Sequence, residues 1–162
     1  MSATDDLVAN NAVFAESFAK DASRKPAPKV AVLACMDARL DPVQVLGLRE
    51  GDAHVIRNAG GVATEDAIRS LVISQRLLGT EEIVLIHHTD CAMTTFRDEE
   101  VRAAIEHDTG ARLPFELEAF RDVEEDLRES MATIMANPFI PCTDHVRGFV
   151  YDVDTGRLRE VS

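Results

Sequence analysis

The sequence predicts an α/β fold: a mixed, mostly parallel β-sheet flanked by helices, with an antiparallel strand at its carboxyl-terminal edge. Short apolar runs alternate with segments whose apolar residues recur at helical spacing, a pattern typical of a parallel sheet. The turn sequence Asp154-Thr155-Gly156 separates two final strand-like segments and indicates a hairpin. Because its 162 residues contain no repeat and no long linker, we expect a single domain over residues 1–162.

The first half of the chain is predicted to form a helix, two strands and a second helix. Residues 4–20 have helical periodicity, with Thr4 as a candidate N-cap. Residues 30–34 form a continuous apolar run, which predicts a strand buried on both faces. A second strand is predicted over residues 53–57, and Thr64 then caps the next helix.

The second half is predicted to hold a third parallel strand, two helices and the hairpin. The strand occupies residues 83–86, and one helix follows over residues 94–107. Another helix is predicted to begin near Pro114, because apolar residues recur there at helical spacing. Its apolar stripe would contain Leu117, Phe120, Val123, Leu127, Met131 and Ile134. The hairpin strands are placed at residues 146–153 and 158–161.

The charge balance excludes several classes of partner. The chain carries 17 Lys and Arg against 29 Asp and Glu, a net charge of −12, so we expect no nucleic-acid partner and no anionic membrane surface. No apolar run approaches the length of a membrane span, and the acidic start does not resemble a secretion signal. We therefore expect a cytoplasmic protein, in which three cysteines favour thiol or metal chemistry over structural disulfides.

Potential metal ligands follow two of the predicted strands. Cys35 comes at the end of the first strand, and His88 and Cys91 come at the end of the third. Because parallel strands end at the same edge of a sheet, we expect these side chains to converge. Two thiolates and an imidazole form a donor set that selects Zn²⁺, and three protein ligands leave a fourth position open.

Asp37 is the candidate for that fourth position. It would either ligate the metal or hold the water there, and Arg39 is placed to pair with its carboxylate and keep it ionised. An Asp-x-Arg pair alone is common on protein surfaces, so its meaning here depends on the neighbouring cysteine.

Several motifs together resemble the β-class carbonic anhydrases of the short bacterial type. The resemblance runs over residues 29–161, and its strongest part is Cys-x-Asp-x-Arg followed some fifty residues later by His-x-x-Cys. The motifs are CMDAR, RNAGG, SLVISQRLLGTEEIVLIHHTDCAM and RGFVYDVDTG. The resemblance implies reversible hydration of carbon dioxide to bicarbonate by zinc-bound hydroxide.

The resemblance also implies roles for particular residues. Cys35, His88 and Cys91 would bind one Zn²⁺ per chain, and Asp37 and Arg39 would form the catalytic dyad that controls its fourth position. The substrate pocket would be lined by Asn58, Ala59, Gly60, Gly61 and Ala92. Residues 1–28 would form a helical arm that packs on a partner subunit, in a homodimer or a dimer of dimers.

Two alternatives stay open at the level of the sequence. Relatives of this compact type hydrolyse carbonyl sulfide or carbon disulfide with the same zinc ligands, and Ala92, where the family usually has Gly, could alter the pocket. A second alternative, of another class, is a zinc-stabilised scaffold or sensor without catalysis. The complete pair of Asp37 and Arg39 argues against it, because a structural zinc site is closed by four protein ligands and has no use for such a pair.

Overall fold

The computed structural model describes residues 2–19 and 23–162. This part of the chain contains five strands and five α-helices. The strands are β1 (Val30–Cys35), β2 (Ala53–Asn58), β3 (Glu82–His88), β4 (Val146–Tyr151) and β5 (Leu158–Val161). The helices are α1 (Ala3–Glu16), α2 (Pro42–Leu46), α3 (Glu65–Arg76), α4 (Asp98–Thr109) and α5 (Val123–Met135), with a 3₁₀ turn at Ala92–Thr94.

The five strands form one sheet in the order β2-β1-β3-β4-β5. β2, β1, β3 and β4 are parallel, and β5 pairs with β4 in the antiparallel sense. The predicted fold class, including the antiparallel edge strand, is therefore confirmed. Because β1 and β3 are adjacent and parallel, the segments that follow them leave the sheet at the same edge.

The alternation of side chains along the strands divides the core into two parts. On one face Leu33 and Leu85 pack with Leu71 of α3 and Leu127 of α5. On the other face the buried side chains include those of the two predicted cysteine ligands. This second group contains Val32, Ala34, Cys35, Leu40, Ile86, Cys91 and Met93. Consecutive residues of a strand point to opposite faces, so His87 and His88 have different surroundings.

The first helix is shorter than predicted and begins earlier. Its N-cap is Ser2 rather than Thr4, because the Ser2 hydroxyl and the Asp5 side chain form a reciprocal capping box. The helix ends at Glu16, and residue 20 of the prediction lies outside the described residues. No residue of α1 is buried by the described part of the chain.

The last helix begins nine residues later than predicted, and residues 114–122 form a loop. The Asp98 carboxylate accepts hydrogen bonds from three consecutive backbone N–H groups, at residues 117–119. Glu118 has a φ of +61°, which a right-handed helix cannot contain. The helix starts only after Asp122, whose side chain accepts from the N–H groups of Glu124 and Glu125.

Three smaller differences concern the remaining elements. The helix predicted over residues 94–107 spans Asp98–Thr109, the last parallel strand ends at Tyr151, and the short helix Pro42–Leu46 was missed. Within the described residues, no helix is both long enough and apolar enough to cross a membrane.

Candidate metal centre

Three potential metal ligands meet at the carboxyl ends of β1 and β3. Cys35 is the last residue of β1, His88 is the last residue of β3, and Cys91 follows shortly after. Their ligand atoms all lie within 4.8 Å of one another, and each residue is at most 4% exposed. The His88 Nε2 and Cys35 Sγ atoms are 3.2 Å apart. The structure thus brings together the three residues that the sequence singled out.

A backbone carbonyl sets the tautomer of the histidine. The His88 Nδ1 atom lies 2.8 Å from the carbonyl oxygen of Thr89. Because that oxygen can only accept, Nδ1 carries a proton and donates it, so in the neutral ring the Nε2 lone pair faces the cysteines. Burial lowers the pKa of His88, but the hydrogen bonds to Cys35 and to the Thr89 carbonyl outweigh it and raise the pKa overall.

The hydrogen bonds around the sulfur atoms of Cys35 and Cys91 favour a thiolate at Cys35 and a protonated thiol at Cys91. The pKa of Cys35 is lowered chiefly by the hydrogen bond that the Cys91 thiol donates to its sulfur, with further donation from the backbone N–H groups of Asp37 and Gly60. The pKa of Cys91 is raised, first by this bond to Cys35 and then by burial. A second buried thiolate therefore needs a neighbouring cation.

Asp37 lies beside the three ligands and is held by Arg39. The guanidinium donates from Nε to Asp37 Oδ1 over 2.9 Å and from Nη2 to Oδ2 over 2.8 Å. This two-pronged bond holds the pKa of the Asp37 carboxyl well below its usual range. The Oδ2 atom is 3.6 Å from Nε2 of His88, so the carboxylate stands next to the donor set while both of its oxygens are bound by Arg39.

Arg39 has a second acidic partner that the sequence analysis did not identify. Its Nη1 atom donates to Asp90 Oδ2 over 2.8 Å, and its Nη2 atom donates to the Asp90 carbonyl over 3.0 Å. The position of Asp90 between the two ligands His88 and Cys91 was the only available signal. Its φ of +53° is a conformation that Asp and Asn adopt more readily than most residues.

Arg57 was also missed as a site residue, and it holds the loop after β1. Its guanidinium donates to the carbonyl oxygens of Cys35, Asp37 and Leu40 over 2.7–3.1 Å. Three carbonyls on one arginine fix the path of this loop. The sequence shows only an arginine near the end of a strand, which does not reveal these acceptors.

The predicted pocket residues form two groups around the ligands. Asn58 is the register partner of Cys35, and the segment that follows it folds back over the end of β1. The Asn58 amide nitrogen donates to the Val62 carbonyl over 2.8 Å. Gly60 and Gly61 have positive φ angles, and Ala59 packs with the buried group that contains the cysteines. Their role in binding substrate stays a prediction.

Ala92 begins the 3₁₀ turn that follows the second cysteine. It is exposed, and its φ is not in the left-handed region, so a Cβ is accommodated there without backbone strain. The methyl group of Ala92 therefore does not strain the loop that carries the candidate ligand Cys91.

His87 occupies the opposite face of the sheet from its neighbour His88. Its ring is 1% exposed, its Nε2 atom lies 2.7 Å from Asp126 Oδ2 on α5, and it stacks on Phe120 with centroids 5.7 Å apart. Nδ1 is buried and has no hydrogen-bond partner among the described residues. His87 therefore links β3 to α5, and it does not belong to the cluster of potential metal ligands.

The donor set fits a divalent zinc ion. Two sulfur atoms and one imidazole nitrogen are preferred zinc ligands, and two adjacent buried thiolates need a positive charge beside them, which a divalent cation would supply. Three such ligands do not complete a tetrahedral shell. The fold and this cluster define a class of α/β proteins with a Cys–His–Cys metal centre at the carboxyl edge of the sheet.

Comparisons with known proteins agree with this description. The family pattern for carbonic anhydrase matches residues 30–158. Beta-carbonic anhydrase 1 of Mycobacterium tuberculosis is 52% identical over 162 residues, covering 100% of this chain and 99% of the relative. The crystal structure of a carbonic anhydrase from Streptococcus mutans is 44% identical and superposes with a TM-score of 0.92 over 100% of this chain and 99% of that one.

A relative with a different activity is also similar. The carbon disulfide hydrolase of Acidithiobacillus thiooxidans is 37% identical over 149 residues, which cover 79% of this chain and 74% of the relative. The chain belongs to the β-carbonic anhydrase family, as its motifs predicted, and this family includes both kinds of enzyme.

Proposed function

We propose that this protein catalyses the reversible hydration of carbon dioxide to bicarbonate, with one Zn²⁺ per chain held by Cys35, His88 and Cys91. The observation that carries the proposal is the buried cluster of these three donors beside a carboxylate that Arg39 keeps ionised. When bound, zinc supplies a Lewis acid that makes water ionise near neutral pH.

Asp37 is suited to orient water rather than to take up a proton. Its lowered pKa keeps the carboxylate charged at neutral pH, so it accepts hydrogen bonds throughout. The bond from the Arg39 backbone N–H to Oδ1, over 2.9 Å, further fixes its direction. Asp37 and Arg39 would thus control what occupies the space beside the three ligands.

The substrate pocket is proposed to be formed by Asn58, Ala59, Gly60, Gly61 and Ala92. Support comes from the pairing of Asn58 with Cys35 and from the N–H of Gly60, which donates to the Cys35 sulfur. Asn58 Oδ1 is buried and has no hydrogen-bond partner in the part of the chain that the structure describes.

Replacement of Asp37 tests the activity and the dyad together. In Asp37→Ala we expect zinc to stay bound, because the three ligands remain, while carbon dioxide hydration measured by stopped flow falls by about 10²-fold or more. Asp154→Ala, which removes an exposed carboxylate from the turn between β4 and β5, is the matched control. Full hydration activity in Asp37→Ala would remove the dyad from the mechanism.

Hydrolysis of carbonyl sulfide or carbon disulfide is the second candidate, favoured by the similarity to carbon disulfide hydrolases. The higher identity and fuller coverage of the carbonic anhydrase relatives favour hydration. Both activities would be measured on one zinc-loaded preparation, as bicarbonate formed and as sulfide released. Sulfide release with a larger kcat/KM than hydration would reverse the assignment.

A zinc-stabilised scaffold without catalysis fits the geometry less well. A structural site closes its fourth position with a further ligand, whereas here the nearest carboxylate is bound through both oxygens by Arg39. Zinc binding without measurable turnover of either kind of substrate would support the scaffold.

We propose that residues 1–28 form an arm that packs on a second copy of the chain, in a homodimer or a dimer of dimers. Helix α1 leaves Leu7 67% and Phe14 58% exposed, and none of its residues is buried by the described part of the chain. A helix of 14 residues is marginal alone in water, so its apolar face needs a covering surface.

The oligomeric state of two charge-matched variants tests the arm. Phe14→Glu places a carboxylate on the apolar face, and Ala9→Glu places one on the opposite side of the same helix. We expect Phe14→Glu to raise the dimer dissociation constant by about 10-fold or more, as measured by light scattering or sedimentation, while Ala9→Glu leaves it unchanged. A monomeric parent protein would contradict the proposal.

The cytoplasm is the proposed location of the protein. The support is the use of cysteine: the chain has three cysteines, and none of them forms a disulfide in the described part of the chain, as is usual in a reducing compartment. Cell fractionation would test this location.

A further inference from the structure

We propose that Asp90 is a positioning residue that holds Arg39 in place, so that Asp37 stays bound to the arginine instead of moving onto the metal. The inference rests on the proposed zinc site. Asp90 lies on the loop after β3, which carries Cys91, and it is hydrogen-bonded to Arg39 of the dyad.

Arg39 connects the two loops that carry the metal ligands. It belongs to the loop after β1, yet two of its four side-chain hydrogen bonds go to Asp90 in the loop after β3. Asp90 uses both a side-chain oxygen and its carbonyl oxygen, at 2.8 and 3.0 Å. Asp90 has a left-handed backbone conformation, with a φ of +53°, and in this conformation its side-chain oxygen and its carbonyl oxygen both accept from Arg39.

The arrangement leaves Asp37 with two possible partners. Its Oδ2 atom is 2.8 Å from Arg39 Nη2 and 3.6 Å from His88 Nε2, so a small rotation brings the carboxylate into the shell formed by the three ligands. In that position Asp37 would close the site as a fourth ligand. The guanidinium competes with the metal for the same oxygen atom.

Asp90 biases this competition because it fixes the arginine. The Arg39 side chain is 46% exposed, and a long exposed side chain held by one partner would follow that partner or turn into solvent. Asp90 anchors the guanidinium to the opposite loop. Arg39 therefore remains where it binds both oxygens of Asp37, and the fourth position stays open.

The size of the effect follows from the exposure of the pair. The Asp90 side chain is 78% exposed, and an exposed ion pair changes an equilibrium by about two- to five-fold. We expect Asp90 to tune the population of open sites rather than to create them.

Cobalt-substituted protein provides a readout besides activity. Azide binds Co²⁺ only where the fourth position is open, so its apparent dissociation constant, from the visible absorption, rises as Asp37 closes the site. The test variant is Asp90→Gly, because Gly keeps the left-handed backbone; Asp90→Asn removes only the charge. Asp154→Asn is the control for loss of one exposed carboxylate.

We expect Asp90→Gly to raise the azide dissociation constant about two- to five-fold, Asp90→Asn to raise it less, and Asp154→Asn to leave it unchanged. In an Asp37→Ala background, where no carboxylate can close the site, Asp90→Gly should have no effect. An unchanged constant in Asp90→Gly, or an effect that persists without Asp37, would overturn the inference. If no variant, Asp37→Ala included, binds cobalt or azide, the proposed metal site itself is wrong, and the inference falls with it.

Discussion

Gly61 lies against the backbone of Cys35, the first of the clustered ligands. A Cβ added at Gly61 would come within 2.8 Å of the Cys35 nitrogen and within 3.1 Å of the Ile86 oxygen on the neighbouring strand. Both are backbone atoms of central strands, so neither can move away by a side-chain rotation. The φ of Gly61 is +77°, and the packing of this segment on β1 and β3 therefore requires glycine at position 61.

Gly61→Ala is expected to lower the free energy of unfolding by about 2–5 kcal/mol, from the left-handed backbone and from the clash. Gly79→Ala is the control, because Gly79 has a φ of +80° and nothing within 4 Å of the added Cβ. It should cost only about 1–2 kcal/mol. Urea unfolding measures both, and zinc content should fall in Gly61→Ala alone. Equal losses in the two variants would show that the clash is relieved.

Asp126→Ala should destabilise the protein by about 1–3 kcal/mol, because it leaves the buried ring of His87 without its hydrogen-bond partner. Glu125→Ala removes the adjacent exposed carboxylate from the same first turn of α5, and should cost about 0.5 kcal/mol. Thermal and urea unfolding of the two variants give the comparison. A smaller loss in Asp126→Ala than in Glu125→Ala would contradict the structural role of His87.

Ala92→Gly should leave carbon dioxide hydration within about two-fold of the parent, because Ala92 is exposed and has an ordinary φ. The measurement is kcat/KM for hydration at matched zinc content, with the carbonyl sulfide reaction measured alongside. A change of about tenfold or more in either reaction would contradict this expectation and show that the Ala92 methyl group restricts the proposed pocket.

Asp152 is expected to stabilise the turn between β4 and β5 at neutral pH and to lose this effect in acid. Its pKa is lowered by hydrogen bonds from the backbone N–H groups of Thr155 and Asp154. A carboxyl whose folded pKa is depressed stabilises above its unfolded pKa, about 3.9, and loses the effect as pH falls through the folded value.

The unfolding midpoint of Asp152→Ala in urea should therefore lie below that of the parent at pH 7 and 5. The difference should shrink below about pH 4, where the unfolded-state carboxyl is protonated. Asp154→Ala, which removes an exposed carboxylate from the same turn, is the control. A gap that stays constant into acid would mean that Asp152 acts through something other than its charge.

The sequence predicted the sheet well because its strands are unambiguous. Residues 30–34 and 83–86 are continuous apolar runs, and both are buried central strands. The early start assigned to the last helix was wrong for a physical reason. Leu117 and Phe120 have helical spacing, but the Asp98 carboxylate binds the backbone of residues 117–119 from a distance of about twenty positions in the chain. Periodicity contains no information about such a contact.

The residues of the candidate site also fall into those that the sequence predicted and those that it missed. The clustered ligands Cys35, His88 and Cys91 were found because their residue types and strand ends indicate a metal. Asp90 and Arg57 were missed because their contribution lies in which carbonyls and side chains they meet, and this depends on the conformations of two loops. A sequence motif specifies donors well and their supporting contacts poorly.

The proposed activity depends on zinc held by side chains from two strand ends, and the zinc content of three cysteine variants tests this dependence most directly. Elemental analysis and stopped-flow hydration would be applied to Cys35→Ser, Cys91→Ser and Cys142→Ser, the last a partly buried thiol away from the cluster. We predict one zinc per chain and full hydration in the parent and in Cys142→Ser, with both lost in Cys35→Ser and Cys91→Ser. Full hydration by a zinc-free Cys91→Ser protein would contradict the account.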